Sequence, residues 1–188
     1  MPRHPDPRVE ERILNAATKL FLQGGEKALS MRVLARAART NTPAVYRRFR
    51  NRKEILRALV KRSQRELFAV LEPCRSFHEA TLCTVKFIID HHHEYQLVSG
   101  GVFNWIDEPR LNLELMKRRS AEWLGGTPEQ HTRLVLSLWA LVHGTGTLLS
   151  SKTIPALHEN DLRAAFAAAV DLLVRNAEKI EGRRGLDS

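Results

Sequence analysis

Two short helical patterns separated by a break fill residues 30–52, SMRVLARAARTNTPAVYRRFRNR, and they constrain the fold more than any other stretch. Ser30 is a good helix N-cap, and the apolar residues after it recur at helical spacing, so they share one face. Residues 39–42 break this pattern. Asn41 then caps a second helix with Pro43 in its first turn, where a missing N–H costs little. The stretch therefore predicts a helix-turn-helix.

The second of these helices has an apolar stripe through Val45 and Phe49, which are four residues apart. Its opposite face is cationic and bears hydroxyl groups, which suits the major groove of DNA. A solvated basic helix is the alternative, but capping, turn and apolar spacing all agree with a compact motif. The side chains of this opposite face are Thr42, Ala44, Arg47, Arg48 and, at its edge, Tyr46.

The positive charge of the chain is concentrated at the same end. Residues 1–66 hold 17 Lys and Arg against 6 Asp and Glu, a net charge of +11, whereas the remaining residues contribute −2 to the total of +9. This asymmetry indicates a polyanionic partner for the N-terminal part. A membrane surface is the rival partner, but it favours a basic amphipathic helix with a large apolar face. Here the cations surround a compact three-helix pattern.

With its neighbours, this stretch resembles the N-terminal domain of the tetracycline-repressor (TetR) family of transcription regulators, over about residues 9–57. The departures are Arg39, where the family usually has the turn Gly, Thr40, where it has an apolar residue, and Arg52, where it has Lys. The matching motifs are Ile13-Leu14-Asn15-Ala16-Ala17-Thr18-Lys19-Leu20-Phe21, Gly25, Ser30, Leu34-Ala35, Tyr46-Arg47-Arg48-Phe49 and Arg52-Lys53-Glu54-Ile55.

The resemblance implies an all-α fold, with an N-terminal three-helix helix-turn-helix DNA-binding domain followed by a helical ligand-binding and dimerisation domain. It also implies a homodimeric regulator on a palindromic operator in double-stranded DNA, usually a repressor that a small molecule releases. A ligand-independent architectural DNA-binding protein is the alternative function. A footprint discriminates the two, because a regulator protects a short palindrome and an architectural protein gives diffuse coverage.

The helical periodicity of the chain, with no strand-like alternation of useful length, agrees with the all-α class. The expected organisation is a disordered arm at residues 1–8, the DNA-binding domain at 9–50, the ligand-binding and dimerisation domain at 51–180 and a frayed tail at 181–188. Arg3 and Arg8 of the arm have the chemistry to enter a minor groove, although simple disorder is the plainer interpretation. Beyond the first three helices we expect helices over 53–72, 76–98, 109–124, 127–149 and 160–180.

The family resemblance, transferred position by position, implicates six residues in DNA contact: Arg32, Thr42, Ala44, Tyr46, Arg48 and Arg52. A guanidinium pairs bidentately with O6 and N7 of guanine, which assigns base contacts to Arg32 and Arg48. The methyl group of Ala44 suits a thymine methyl, and the other three residues suit phosphate. Arg47 is a further candidate for contact with the DNA backbone.

Aromatic residues of the second domain suggest a site for a small apolar or aromatic ligand, since ligand pockets are mostly apolar with a few orienting polar groups. A plain hydrophobic core is the alternative, because aromatic residues at helical spacing usually pack inside a domain. The candidate ligand-binding residues are Phe87, Phe103, Asn104, Trp105, Met116, Trp139 and His143.

Small residues mark a candidate dimer interface at Gly144, Gly146, Ala165 and Ala169. Small side chains permit the close approach of another helix, and in proteins that resemble this one the last two helices pair with their copies in a four-helix interface. Ordinary packing within one chain is the alternative.

Catalysis, metal binding and cofactor binding find no support in the sequence. His91-His92-His93 with Glu94 invites a metal interpretation, but adjacent residues point to different faces of a helix. Gly144-Thr145-Gly146 lacks the strand and the further glycines of a nucleotide loop. We therefore expect no enzyme, no metal and no cofactor. An enzyme fused to a DNA-binding domain would need a catalytic constellation in the second domain.

The cellular setting is predicted from cysteine usage and hydropathy. Cys74 and Cys83 lie nine residues apart, outside any CxxC arrangement, and are most simply reduced thiols. The N-terminus, MPRHPDPR, has no apolar signal region, and the apolar stretches are shorter than a membrane span. These features predict a cytoplasmic protein that does not bind membranes.

Overall fold

The computed structural model describes residues 7–92, 95 and 111–182. Within these residues all regular structure is helical, in nine α-helices and three short 3-10 turns, so the predicted all-α class is confirmed. The turns are Gly25–Ala28, Pro128–His131 and Ala156–His158. The helices are α1 (Pro7–Gly24), α2 (Met31–Ala37), α3 (Thr42–Tyr46), α4 (Arg52–Leu71), α5 (Phe77–Asp90), α6 (Leu111–Leu124), α7 (Thr132–Ser150), α8 (Glu159–Arg175) and α9 (Ala177–Ile180).

The chain divides into two compact units between residues 63 and 64, inside α4. We call the first unit the head, described over residues 7–63, and the second the body, described over 64–92, 95 and 111–182. The predicted domain boundary at residue 50 lies just before α4. The units divide later because the first half of α4 supplies Ile55, Leu56 and Leu59 to the core of the head.

The core of the head joins the apolar faces of α1, α2, α3 and the start of α4. Ile13, Leu34 and Val45 are 0% exposed, and each comes from a different helix. Full burial of such aliphatic side chains contributes about 1.5–3 kcal/mol apiece relative to exposure. Hydrophobic burial therefore holds the three short helices together, although α2 and α3 are too short to be stable alone.

The core of the body joins α5, α7 and α8, and α5 lies directly against α7. A Cβ atom built on Gly146 of α7 would lie only 2.8 Å from atoms of Ile88, which is 0% exposed on α5. Gly146 therefore permits a close helix approach within the chain. This is a correction to its predicted place in a dimer interface. At Gly144 a Cβ atom would meet nothing within 4 Å.

Several predicted helix bounds needed correction. The arm predicted at residues 1–8 overlaps α1, which already begins at Pro7, where proline suits the first turn; residues 1–6 lie outside the described part. The helix predicted over 76–98 ends as α5 at Asp90. The one predicted over 160–180 is interrupted at Asn176, whose side chain donates to the Leu172 carbonyl oxygen at 2.8 Å and so competes with the helix ladder.

The C-terminal tail, predicted to fray from residue 181, begins with a residue that makes a specific contact. Glu181 Oε1 accepts a hydrogen bond at 2.7 Å from the backbone N–H of Leu134, in the first turn of α7. That N–H has no partner within its own helix, and a carboxylate there also complements the helix dipole. Residues 183–188 lie outside the described part. No helix among the described residues combines the length and apolar character that crossing a bilayer requires.

Candidate nucleic-acid interface

The first helix of the motif, α2, is fixed at its start by a side-chain cap. Ser30 has extended backbone geometry, and its Oγ accepts a hydrogen bond from the Val33 N–H at 3.2 Å. The cap satisfies one of the N–H groups that a helix leaves unpaired at its N-terminus. The sequence pattern and the local structure agree on where α2 begins.

The turn between α2 and α3 is a Schellman motif with an unusual residue at its pivot. The Thr40 N–H donates to the Ala35 carbonyl oxygen at 2.9 Å, and the Arg39 N–H donates to the Arg36 carbonyl oxygen at 3.1 Å. This geometry needs a left-handed residue, and Arg39 supplies it with φ of 52°. A non-glycine residue adopts that conformation at a cost of about 1 kcal/mol. The turn thus forms without the glycine that the family usually has.

The second helix, α3, begins at a cap and is shorter than the sequence pattern suggests. Asn41 Oδ1 accepts from the Ala44 N–H at 2.8 Å, and Pro43 lies in the first turn. The helix ends at Tyr46, so Arg47 and Arg48 lie in the turn that follows it. The predicted cationic face is therefore formed by a helix and its C-terminal turn together.

The predicted DNA-contacting residues differ in how much surface they present. Arg32, Tyr46 and Arg47 are exposed, with Tyr46 at 52%. Ala44 is the exception, because at 7% exposure it lies beside Val45 in the interior of the head. Its methyl group has little surface left for a thymine, which corrects the sequence interpretation of that position. Thr42 and Arg48 are half-buried, and Arg52 is exposed.

Arg52, the first residue of α4, is oriented by a residue that sequence reasoning did not single out. Its Nη2 lies 2.9 Å from Glu26 Oε1, and its Nη1 donates to the Glu26 carbonyl oxygen at 3.2 Å. Both side chains are about half exposed, at 45% and 48%. A screened surface pair of this kind contributes little stability, but two contacts restrict where the guanidinium can point. No spacing rule links residues 26 and 52, so this contact could not be predicted from the sequence.

A second arginine on α4 clamps that helix to α1 within the head. Arg62 donates from Nη1 to Asn15 Oδ1 at 2.7 Å and from Nη2 to Thr18 Oγ1 at 2.8 Å. Thr18 is 6% exposed, and its hydroxyl donates onward to the Leu14 carbonyl oxygen at 3.1 Å. The sequence did contain a signal, because Thr18 interrupts the apolar face that Leu14, Ala17 and Phe21 form on α1.

In the body, the predicted ligand-binding residues separate into three groups. Phe87 is 4% exposed and stacks on His91 with ring centroids 4.7 Å apart, and Met116 packs against the same hydrophobic cluster. Trp139 is 50% exposed and its ring lies 6.3 Å from that of His143. The third group, Phe103, Asn104 and Trp105, lies outside the described residues.

Tyr95 adds a polar centre to this region that the sequence analysis missed. It is 5% exposed, and its hydroxyl lies 2.9 Å from His143 Nδ1. Burial raises the pKa of Tyr95, while a hydrogen bond with the Trp139 side chain opposes the shift. The phenol therefore stays protonated at neutral pH and shares a hydrogen bond with His143, whose tautomer sets the donor. A hydroxyl-bearing aromatic residue near the end of a helix was the available signal.

The predicted dimer-interface and metal-binding residues are described only in part. Ala165 is exposed on α8, and Ala169 and Gly144 are half-buried. In the described part of the chain, no three His, Cys, Asp or Glu side chains are grouped so that they would hold a metal ion. His93 and Glu94, half of the histidine-rich candidate, lie outside that part.

Comparison with known proteins identifies the helix-turn-helix region. Residues 13–59 match the family model described as bacterial regulatory proteins, tetR family. An 89-residue stretch is 33% identical to the uncharacterized HTH-type transcriptional regulator YhgD of Bacillus subtilis (strain 168), covering 45% of this chain and 47% of that protein. The chain thus matches less than half of this relative's length.

The fold is shared with solved structures over nearly the whole chain. A protein of unknown function from Rhodococcus sp. RHA1 has a TM-score of 0.70 and 24% identity, covering 93% of this chain and 97% of that one. A TetR variant from Acinetobacter baumannii AYE, solved in complex with minocycline, has a TM-score of 0.61 and 20% identity, covering 90% and 96%. Over residues 13–59, the helix-turn-helix region is therefore similar to the tetR family of bacterial regulatory proteins.

Proposed function

We propose that the protein is a sequence-specific DNA-binding transcriptional regulator and acts as a repressor. The observation that supports this most directly is the capped helix-turn-helix of the head, whose exposed side includes Arg32, Tyr46 and Arg47. The net charge of +11 over residues 1–66 favours a polyanion as partner. The match of residues 13–59 to a family of bacterial regulatory proteins supports the same function.

The proposed roles of the contact residues follow from their chemistry. Arg32 and Arg48 contact guanine edges, since a guanidinium matches O6 and N7 bidentately. Thr42, Tyr46 and Arg52 contact phosphate and position the head on the duplex. Glu26 holds the Arg52 side chain in one orientation, through the 2.9 Å ion pair, until phosphate competes for it. Arg47 is a further phosphate contact, and Ala44 is left out because it is buried.

The test is a comparison of alanine variants on one operator and on a scrambled duplex of equal length. Arg48→Ala is expected to lose about 1–3 kcal/mol on the operator only, and Arg52→Ala to lose affinity for both duplexes with a salt slope lower by about 1. Lys19→Ala, an exposed cation on α1, is the matched control for charge. Equal, sequence-independent losses for Arg48→Ala and Arg52→Ala would refute the division of roles.

A footprint on genomic fragments tests the function itself. A regulator of this type should protect a short palindrome with half-sites roughly 34–36 Å apart, one helical turn, because a single helix-turn-helix reads too few bases. Diffuse protection without a palindrome would instead identify a ligand-independent architectural protein.

The palindrome requires a homodimer, and exposed apolar residues on α7 and α8 support one. Trp139 is 50% exposed on α7, and Leu172 is 62% exposed on α8, where Ala165 and Ala168 precede it on the same helical face. Exposed apolar side chains on two adjacent helices are typical of a protein–protein interface. Gly144 leaves room for a close approach from outside the chain.

Sedimentation of a charged variant tests this interface. Leu172→Arg should shift the protein toward monomer, because an unpaired charge would be buried on association. Leu82→Arg is the control, since Leu82 is 49% exposed on a different helix, α5. An unchanged dimer in Leu172→Arg, with both variants folded, would locate the interface elsewhere.

We further propose that a small apolar or aromatic ligand binds in the body and releases the protein from DNA. The Tyr95, His143 and Trp139 side chains form a polar group at the edge of an apolar cluster, the arrangement that orients a guest. The complex of the related-fold TetR variant with minocycline supports a ligand of this kind. Such a ligand must bind the DNA-incompetent state more tightly, or it shifts nothing.

The ligand proposal is tested by tryptophan fluorescence together with operator affinity. A compound that quenches fluorescence should weaken operator binding in the wild type, and Tyr95→Phe should reduce its affinity by about 0.5–1.5 kcal/mol for one lost hydrogen bond. Phe77→Leu, which changes an aromatic residue elsewhere in the body core, is the control. Quenching without any change in operator affinity would leave a binding site but remove the switch.

A further inference from the structure

Cys74 and Cys83, nine residues apart in sequence, meet in the body. Cys74 follows α4 and is 1% exposed in a small apolar cluster with Ala80 and Leu115. Cys83 lies on α5, packs against the same cluster and is half-buried. The Cys74 thiol donates to the Val70 carbonyl oxygen at 3.4 Å, and Cys83 lies close enough for its charge to raise the pKa of Cys74. Two free thiols in one cluster, one of them reachable from solvent, can form a disulfide once their sulfurs approach each other.

The two thiols are chemically unequal. Burial, followed by the charge and hydrogen bond of Cys83 and the charge of Glu79, raises the pKa of Cys74 from 9.0 to about 11, while Arg119 opposes the shift. Cys74 therefore keeps its proton at neutral pH. Oxidants react with a thiolate that they can reach, which makes the half-exposed Cys83 the attacking group and Cys74 the resolving group.

We propose that Cys74 and Cys83 form a reversible dithiol–disulfide site that is oxidised by hydroperoxides. In the first step the Cys83 thiolate attacks a peroxide oxygen; a sulfur–oxygen bond forms, the oxygen–oxygen bond breaks, and the leaving oxygen takes up a proton. In the second step the Cys74 sulfur attacks the Cys83 sulfenic acid; the disulfide forms, the sulfur–oxygen bond breaks, and the departing hydroxide takes the Cys74 proton to leave as water.

The reaction is balanced for hydrogen peroxide. The two thiols together lose two electrons and two protons, and the peroxide is reduced to two molecules of water. A low-molecular-weight thiol reverses the oxidation by attacking the disulfide through a mixed-disulfide intermediate. A metal bound by the same two sulfurs is less favoured, since no third His, Cys, Asp or Glu is grouped with them among the described residues.

The bond would also constrain the fold locally. It would link the turn after α4 to the middle of α5, closing the short loop of residues 74–83. A disulfide holds its sulfurs about 2.05 Å apart, which is closer than any two unbonded thiols, so Cys74 must move toward α5. Leu71 of α4 and Leu115 of α6 belong to the same cluster and would have to repack.

The test uses the full chain, reduced and then treated with hydrogen peroxide, with thiol titration and intact mass as readouts. In the wild type both thiols should disappear together, the mass should fall by two hydrogens, the chain should stay unlinked to other chains, and dithiothreitol should restore both thiols. Cys74→Ser should stop at a Cys83 sulfenic acid that dimedone traps. Cys83→Ser should keep Cys74 reduced, because Cys74 is buried.

Three outcomes would overturn the proposal: oxidation of wild-type Cys83 to sulfinic acid without a disulfide, a disulfide between chains, or retention of both thiols under conditions that oxidise a free cysteine peptide. The mass and thiol count of the wild type are sufficient to distinguish these outcomes. The test therefore does not depend on whether the serine variants fold. None of these readouts involves DNA, so the result is independent of the proposed regulatory function.

Discussion

The head and the body differ in what their surfaces offer to a partner. Residues 1–66 have a net charge of +11, whereas the rest of the chain is close to neutral at −2. The body instead exposes large apolar side chains, including Leu157 at 74%, Leu172 at 62% and Trp139 at 50%. A concentration of positive charge attracts a polyanion over a distance, whereas apolar groups act only on contact. Nucleic acid should therefore be sought at the head, and protein or apolar ligands at the body.

The two units also differ in the interactions that position their side chains. In addition to its apolar core, the head uses directed polar contacts, such as the Asn41 cap and the Arg62 clamp. The body uses close packing, such as Gly146 against Ile88 and the buried Cys74 thiol. The head should consequently be sensitive to the loss of hydrogen bonds, and the body to changes of volume or charge in its interior. Four pairs of substitutions test this contrast.

The largest effect is expected from a matched pair of glycines on α7. Gly146→Ala forces a Cβ atom to 2.8 Å from Ile88, whereas the same change at Gly144 meets nothing within 4 Å. Alanine favours a helix over glycine by about 1 kcal/mol, and overpacking costs about 1–3 kcal/mol. Because the helix-propensity gain is the same at both positions, the free energies of unfolding of the two variants in urea titrations should differ by the overpacking cost alone, up to about 3 kcal/mol. Equal values would mean that α5 and α7 are not closely packed at this point.

The second effect is a pH dependence that arises in the body. Because the pKa of Cys74 is raised from 9.0 to about 11, first by burial, the unfolded chain loses this proton at a lower pH than the folded chain. The stabilising contribution is thus complete below pH 9.0 and is lost as the pH rises toward about 11. Two pKa units correspond to about 2–3 kcal/mol.

Unfolding under reducing conditions measures this contribution, by subtraction of Cys74→Ala from the wild type at each pH. Other groups titrate in the same range, and the subtraction removes them. Cys83→Ala is the control that keeps the burial of Cys74 but removes the neighbouring charge, so it should retain part of the slope. Parallel curves for the wild type and Cys74→Ala would contradict a buried, protonated thiol.

The third effect is expected in the head, from the Arg62 clamp. Arg62→Met keeps most of the apolar stem but removes the hydrogen bonds to Asn15 and Thr18. Because the donor is charged and the site is half-buried, the loss should be about 1.5 kcal/mol in free energy of unfolding. Lys53→Met, at an exposed position of the same helix, should change it by less than about 0.5 kcal/mol. Similar free energies of unfolding for the two variants would show that the Arg62 hydrogen bonds do not stabilise the head.

The smallest effect is a stabilisation at the turn of the helix-turn-helix. Arg39→Gly should raise the free energy of unfolding by about 1 kcal/mol, since glycine adopts the φ of 52° without strain. Arg36→Gly, one turn earlier inside α2, should lower it by about the same amount because glycine is a poor helix former. A loss of stability in Arg39→Gly would mean that the Arg39 side chain contributes more than its backbone strain costs.

Local rules account for how well the head could be predicted. The Ser30 and Asn41 caps, the Pro43 position and the apolar spacing each act within a few residues, and the structure has them where the sequence indicates. Ala44 is only 7% exposed beside Val45, so the rotation of α3 puts its methyl group on the core side rather than on the side assigned to it. The Glu26–Arg52 and Arg62–Asn15 contacts depend on folding and follow no local spacing.

In the body, the sequence indicated which residue types matter, but not whether each side chain faces the core or the surface. Gly146 was expected at a dimer interface and packs against Ile88 instead, while Gly144, two positions away, lies open. Phe87 and Trp139 were expected in one ligand site, yet Phe87 is 4% exposed and Trp139 50%. The rotation of a helix about its own axis determines which of its residues face the core. Positions close together on one helix can therefore differ in exposure.

The sequence by itself determined the all-α class, the helix-turn-helix with its caps and the uneven charge, because each depends on residue type and short-range spacing. Only the tertiary structure decided that Cys74 meets Cys83, that Tyr95 meets His143, and that Gly146 is an internal contact. Those contacts join residues from different elements. They depend on the order and rotation in which helices pack, which residue spacing along one helix does not specify.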